Sequence, residues 1–81
     1  RALLLNLLNV VGAALFQLGR TAAAHERFGE LLELASEWGN EEFAARASND
    51  VGVVANVRGE GEAALAQYEG AVAWYQLLGY V

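Results

Sequence analysis

Apolar residues recur every three or four positions along most of the chain, which is the spacing of helices that bury one face. In the first segment this stripe contains Leu8, Val11, Leu15 and Leu18. Glycine-containing breaks interrupt the pattern, and glycine is common just after a helix because it adopts a positive φ without a Cβ clash. The pattern therefore predicts four helices, over residues 2–18, 21–38, 42–57 and 61–78.

The sequence also repeats itself at an offset of 40 positions. Seven residues recur in identical form: Asn9, Val11, Gly12, Gly19, Ala23, Ala24 and Gly39 correspond to Asn49, Val51, Gly52, Gly59, Ala63, Ala64 and Gly79. A fixed period of about this size is typical of helical repeat proteins, in which each unit is a pair or triplet of helices. We therefore expect one domain, residues 1–81, built from two units, residues 2–38 and 42–78.

Gly12 and Gly52 lie inside predicted helices, where a glycine costs about 1 kcal/mol relative to alanine. Without a Cβ, Gly12 lets another helix approach closely. We expect that helix to be the second of the same unit, which brings Ala24 to the contact and Phe28 into the space beside it. The same arrangement is predicted one repeat later, around Gly52.

Composition supports an all-α fold and narrows the cellular setting. The chain has no proline, which favours uninterrupted helices, and no cysteine, which excludes a disulfide-stapled domain. We therefore expect a cytoplasmic protein. No segment approaches the roughly 20 apolar residues of a membrane span, so no membrane partner is expected. The chain begins with Arg1 and continues with a core-like apolar run, Ala2 to Leu5, which indicates a piece of a larger protein.

The charge balance argues against nucleic acid as a direct partner. Ten acidic residues outnumber five basic ones, and all five bases are arginine. Phosphate backbones attract clustered basic residues, whereas these arginines are scattered among more numerous acids.

The spacing of these residues resembles that of the tetratricopeptide repeat family. The matching positions are Val11, Gly12, Leu15, Gly19, Ala24, Phe28 and Leu34 in the first unit, and Val51, Gly52, Gly59, Ala64, Tyr68 and Ala71 in the second. The chain departs from the family in its longer unit, in its missing closing proline, and in having Leu8 and Ser48 where a tryptophan is usual. The resemblance implies two stacked antiparallel helix hairpins of an α-solenoid, with a concave groove that is lined by the first helix of each unit and binds peptides.

The polar stripe of the first and third predicted helices would line that groove. Its residues are Asn6, Asn9, Phe16, Gln17, Arg46, Asn49, Asp50, Val53 and Asn56. Asparagine amides both donate and accept hydrogen bonds, which suits a peptide backbone. The alternative is a solvated surface on which Arg46 and Asp50 form an i,i+4 ion pair contributing about 0.3–0.5 kcal/mol.

Other candidate groups give no catalytic or metal site. Four glutamates recur at helical spacing on one side of the second helix: Glu26, Glu30, Glu33 and Glu37. This side is expected to be a solvated face, and the alternative is a site for a cation or a basic partner. His25 is the only histidine and lacks the companion ligands that zinc requires. No nucleophile and base have catalytic spacing, so we expect neither an enzyme nor a cofactor.

The last predicted helix ends in an apolar surface formed by Trp74, Tyr75, Leu78 and Tyr80. We expect it to contact a next repeat or to mediate homo-oligomer formation, because stacked repeats bury such faces against neighbours. The sequence thus predicts a protein-interaction module that binds a peptide or protein partner. The alternative is a sensor or oligomerisation segment of a larger bacterial signalling or transcriptional regulator.

Overall fold

The computed structural model describes residues 1–79, which form four α-helices and no strand. They are α1 (Ala2–Gln17), α2 (Thr21–Glu37), α3 (Glu41–Val57) and α4 (Gly61–Leu77). Every end of these helices lies within one residue of the end predicted from the apolar pattern. The all-α class and the four helices are therefore confirmed.

Glycine ends the helices in the way the sequence predicts. Gly19 has a φ of 78° and Gly59 a φ of 79°, a region that other residues reach only with strain. After α1, the amide of Gly19 donates to the carbonyl of Phe16 at 3.0 Å, and the amide of Arg20 donates to the carbonyl of Leu15 at 2.9 Å. This pair of bonds satisfies carbonyls that the helix end leaves without partners.

The helices pack in chain order. α2 lies against α1, α3 against α2, and α4 against α3, whereas α1 and α3 barely touch. Short turns make neighbouring helices antiparallel and give a compact body of 32 × 29 × 18 Å. One apolar core joins the first three helices, and its buried members are Leu5, Ala24, Phe28, Leu31, Ala35, Ala44, Ala47, Val51 and Val54.

The two interior glycines lie where helices approach closely, as the sequence predicts. A Cβ on Gly12 would come within 2.6 Å of the Cε1 atom of Phe28, and a Cβ on Gly52 within 2.7 Å of the Cε1 atom of Tyr68. At Gly52 the carbonyl oxygen of Ala64 would also lie 3.3 Å away. At Gly12 the nearest atoms all belong to the aromatic ring, so the ring lies over the glycine itself rather than beside it.

Candidate functional site

A cavity of about 350 Å³ lies between α1 and α3, with its base at α2. We call it the α1–α3 cavity. Three helices supply its lining: Asn9, Ala13, Phe16 and Gln17 from α1, Phe28 from α2, and Arg46, Asp50, Val53 and Val54 from α3. The lining thus contains six of the nine residues in the predicted groove stripe.

The lining separates an apolar base from a polar rim. Phe28 and Val54 are buried in the core, with 4% and 1% of their surfaces exposed, and they form the base. Phe16 and Val53 are half-buried, one on each side. Ala13 is exposed and short, and its small side chain leaves the space open.

Helical spacing explains which residues meet in the cavity. Asn9, Ala13 and Phe16 are four and three positions apart and therefore share one edge of α1. Arg46 and Asp50 share an edge of α3 in the same way.

Three predicted groove residues lie outside the lining. Asn6, Asn49 and Asn56 are exposed but are not among the residues around the cavity. Asn49 corresponds to Asn9 in the repeat, yet only Asn9 lines the cavity. Of the cavity-lining residues of α1, only Ala13 has its repeat counterpart, Val53, in the lining as well, so the two helices mostly present non-equivalent residues to the cavity.

The Asp50 carboxyl is half-buried in this lining, and burial raises its pKa, while the positive charge of Arg46 acts in the opposite direction. The ion pair that the solvated-surface alternative assigns to these two residues is not formed. Arg46 instead lies 3.4 Å from a carboxylate oxygen of Glu42 and stands over the Phe43 ring, 5.3 Å from its centre. Within the described part of the chain, no side chain pairs with Asp50 by a hydrogen bond or an ion pair. Its carboxylate is therefore available to a donor.

Three of the four α2 glutamates line a separate depression of about 260 Å³, together with Leu34: Glu30, Glu33 and Glu37. Glu30 forms an ion pair with Arg27. Over residues 1–79 no three acidic, histidine or cysteine side chains are grouped as a metal site would need. These carboxylates lie along one helix rather than around a point.

The predicted apolar surface of the last helix is partly covered by the chain itself. Trp74 is half-buried and packs against the core, and Tyr75 and Leu78 are half-buried. Tyr80 lies outside the described residues. Other apolar side chains of α4 are more exposed, namely Leu65, Val72 and Leu77.

The opening leucine run, by contrast, is not a core segment. Only Leu5 of this run is buried, while Leu3 is 72% exposed and Leu4 is 44% exposed. Further exposed apolar residues follow on α1 and directly after it: Leu7, Val10, Val11 and Leu18. This correction has a simple physical reason, since α1 packs mainly against α2 and leaves much of its surface exposed.

Comparisons of the chain with family models, with curated proteins and with solved structures find no match in any of the three. What the structure establishes is a domain of four helices packed in sequence. Among residues 1–79, no helix combines the length and the apolar character needed to cross a bilayer.

Proposed function

We propose that this chain is a non-enzymatic protein-interaction module that binds a peptide segment in the α1–α3 cavity. One observation carries the proposal: the cavity joins a buried apolar base to a half-buried Asp50 carboxylate that has no side-chain partner. Such a combination accepts an apolar side chain and a hydrogen-bond donor together.

The size and chemistry of the lining suggest the kind of peptide. A volume of about 350 Å³ suits one large apolar side chain, which would rest on Phe28 and Val54. The amides of Asn9 and Gln17 would pair with the peptide backbone on either side. Asp50 would accept from a backbone amide or from a lysine or arginine of the peptide. The net charge of −5 favours a basic segment by long-range attraction.

The repeat supports a finer assignment. The glycine–aromatic contact occurs in both hairpins, Gly12 with Phe28 and Gly52 with Tyr68, and the helices follow one another in packing order. These features are consistent with two stacked hairpins of a tetratricopeptide-like α-solenoid. In that architecture the first helices of successive units form a binding surface, which is where the α1–α3 cavity lies.

Selection of peptides from a random displayed library on the purified chain tests the proposal. We expect enrichment of sequences that share a large apolar residue next to a lysine or arginine. Affinities would then be measured by fluorescence anisotropy with a selected peptide. Ala13→Phe should fill the cavity and weaken binding by about tenfold or more, which corresponds to 1.4 kcal/mol.

Two asparagines provide matched controls for a cavity variant. Asn9→Ala should weaken binding, whereas Asn49→Ala and Asn56→Ala should leave it unchanged, because only Asn9 lines the cavity. Failure to enrich any peptide would refute the proposal. So would a selected peptide whose affinity is insensitive to Ala13→Phe.

The second candidate, a sensor or oligomerisation segment of a larger bacterial regulator, is favoured by the exposed apolar residues of α1 and α4. If it holds, substitutions on those surfaces should change assembly or signalling by the regulator, whereas substitutions in the cavity should change neither.

A further inference from the structure

The lining of the α1–α3 cavity is polar toward one end and apolar toward the other. Along α3 it starts with Arg46 and Asp50 and ends with Val54, and along α1 it starts with Asn9 and reaches Phe16. α1 and α3 are each antiparallel to α2 and therefore run in the same direction. The polar residues of the two helices thus lie toward the same end of the cavity. A ligand that fits this lining has a polar group and an apolar group in a fixed order.

The polar end carries one uncompensated negative charge. Glu42, Arg46 and Asp50 follow one another at intervals of four residues and so share one edge of α3. The guanidinium of Arg46 lies 3.4 Å from a carboxylate oxygen of Glu42. Over residues 1–79 no side chain pairs with the half-buried Asp50 by a hydrogen bond or an ion pair. The charge left to a ligand is therefore that of the Asp50 carboxylate.

The rest of the lining supplies no competing charge. α1 contains no charged residue from Ala2 to Gln17, and α2 contributes only Phe28. The half-buried Asn9 adds a side-chain amide oxygen that can accept a hydrogen bond. A protonated amino group has three N–H donors, and its bond to a carboxylate is roughly twice as strong as a bond between neutral groups. Such a group suits this end of the cavity better than a neutral backbone amide does.

The carboxylate and the apolar base are close together. Asp50 and Val54 are four residues apart, which is about 6 Å along the axis of α3. The volume of about 350 Å³ is near the lower end of the range for ligand sites, about 300–1,000 Å³, and so takes one large residue. At the amino end of a peptide, the ammonium group and the first side chain leave the same Cα atom. That one residue therefore brings both groups into the cavity.

A lysine inside a peptide meets the same requirement less well. Neighbouring side chains of an extended peptide point to opposite sides, so a lysine next to the apolar residue would have to reach back around the backbone. A lysine side chain also loses much rotamer freedom when its end is fixed. An α-amino group has no side chain to immobilise.

We propose that the segment bound in the α1–α3 cavity is the amino-terminal end of a peptide with a large apolar first residue. The first side chain lies on Phe28 and Val54, and the ammonium group donates to the carboxylate of Asp50 and to the side-chain oxygen of Asn9. This inference rests on the proposed function, because it assigns the part of the peptide that the same cavity binds. The net charge of −5 also favours a positively charged chain end.

Three synthetic peptides, each with a fluorescent dye at its carboxyl end, test this assignment by fluorescence anisotropy on the purified chain. The first is Phe-Ala-Ser-Gly-Ser with a free amino group. The second is the same peptide with its amino group acetylated. The third is also acetylated and has a lysine placed before the phenylalanine. We expect the free peptide to bind at least about tenfold more tightly than either of the others.

Asp50→Asn removes the charge while keeping the size of the side chain. It should weaken binding of the free peptide about tenfold and leave the affinity of the acetylated peptide unchanged. The matched control is Glu33→Gln, which removes the same charge from an exposed position on α2 and should change neither affinity. Circular dichroism would establish that both variants are folded.

The pH dependence of affinity gives a second test, which needs no variant. An α-amino group loses its proton near pH 8, whereas lysine keeps its proton to about pH 10. The affinity of the free peptide should therefore fall severalfold between about pH 7 and about pH 9.5, and that of the lysine peptide should stay constant. Acidification through the raised pKa of Asp50 should also weaken the free peptide, because it neutralises the carboxylate.

Equal affinities of the free and the acetylated peptide would overturn the inference, and so would tighter binding of the lysine peptide. If Ala13→Phe still weakens binding in either case, the cavity binds peptides and only the assignment of the amino end is wrong. The inference is also wrong if none of the three peptides binds while a peptide selected from the library does. If no peptide of either kind binds, the proposed function itself fails.

Discussion

The ring of Phe28 occupies the space that a side chain on residue 12 would need, with its Cε1 atom 2.6 Å and its Cδ1 atom 2.8 Å from the Cβ position of Gly12. Phe28 is itself buried, with 4% of its surface exposed, so a side chain at residue 12 would have to displace a core ring toward the α1–α3 cavity. The glycine is therefore required by the ring.

Replacing Gly12 with alanine should lower the free energy of unfolding by up to about 2 kcal/mol. Overpacking a core costs about 1–3 kcal/mol, and the gain in helix propensity of about 1 kcal/mol offsets only part of that cost. The matched control is Gly29→Ala in α2, where a Cβ would meet no atom within 4 Å. That change should raise stability by about 0.5–1 kcal/mol. Urea unfolding measures the free energy of unfolding of both variants. If both substitutions stabilised the domain, the prediction for Gly12 would be wrong.

A double substitution separates the ring contact from helix propensity. Phe28→Leu alone should destabilise the domain, because it leaves part of the ring's space empty. In the Gly12→Ala background the same change should cost less, by about 1 kcal/mol, since the added methyl group uses the vacated space. If the changes in the free energy of unfolding caused by the two single substitutions simply add in the double variant, the two residues do not interact.

The start of α3 depends on Asn40, whose side-chain oxygen accepts a hydrogen bond from the amide of Phe43 at 3.1 Å. Asn40→Ala should lower stability by about 1 kcal/mol, and Asn40→Asp should keep most of it, because aspartate caps helices as well as asparagine does. Thermal unfolding measures both. Arg20→Ala is the control, since the residue preceding α2 makes no side-chain cap. An equal loss in the control would argue against capping as the cause.

The raised pKa of Asp50 predicts a specific pH dependence. The folded state holds this proton at pH values where the unfolded chain has already released it. Stability should therefore fall as pH rises from the ordinary aspartate pKa through the raised one.

Asp50→Asn should remove that fall in stability and make the domain more stable at pH 7. Urea unfolding across the acidic range checks this prediction. Glu33→Gln removes the same charge from an exposed position and should retain the dependence on pH. A pH profile unchanged by Asp50→Asn would refute the assignment.

Local chemistry explains why the helices could be predicted. The turn glycines Gly19 and Gly59 have the positive φ that their positions imply, and Asn40 caps α3 with its own side chain. Gly12 indicated a close helix contact for a related reason. A glycine inside a helix lowers stability, so its presence suggests that a neighbouring side chain or helix occupies the space a Cβ would take. Each of these signals depends on neighbours within a few residues or on the 40-residue offset.

The site was only partly predictable, because its lining depends on which edges of α1 and α3 face each other. Asn9 and Asn49 are equivalent in the repeat, but α1 and α3 present mostly non-equivalent residues to the cavity, and only Asn9 lines it. The exposed face of α1 was missed for a similar reason. Leucines such as Leu3 and Leu7 suggest burial, yet a helix at the end of a series has a partner on one side alone.

Packing in chain order also governs how this domain forms and opens. Contacts between successive helices are short in sequence, and chains dominated by such contacts fold in microseconds to milliseconds. α1 is attached mainly through α2, and α4 through α3. The end helices can therefore detach one at a time, and their amide hydrogens should exchange with solvent before those of the central pair.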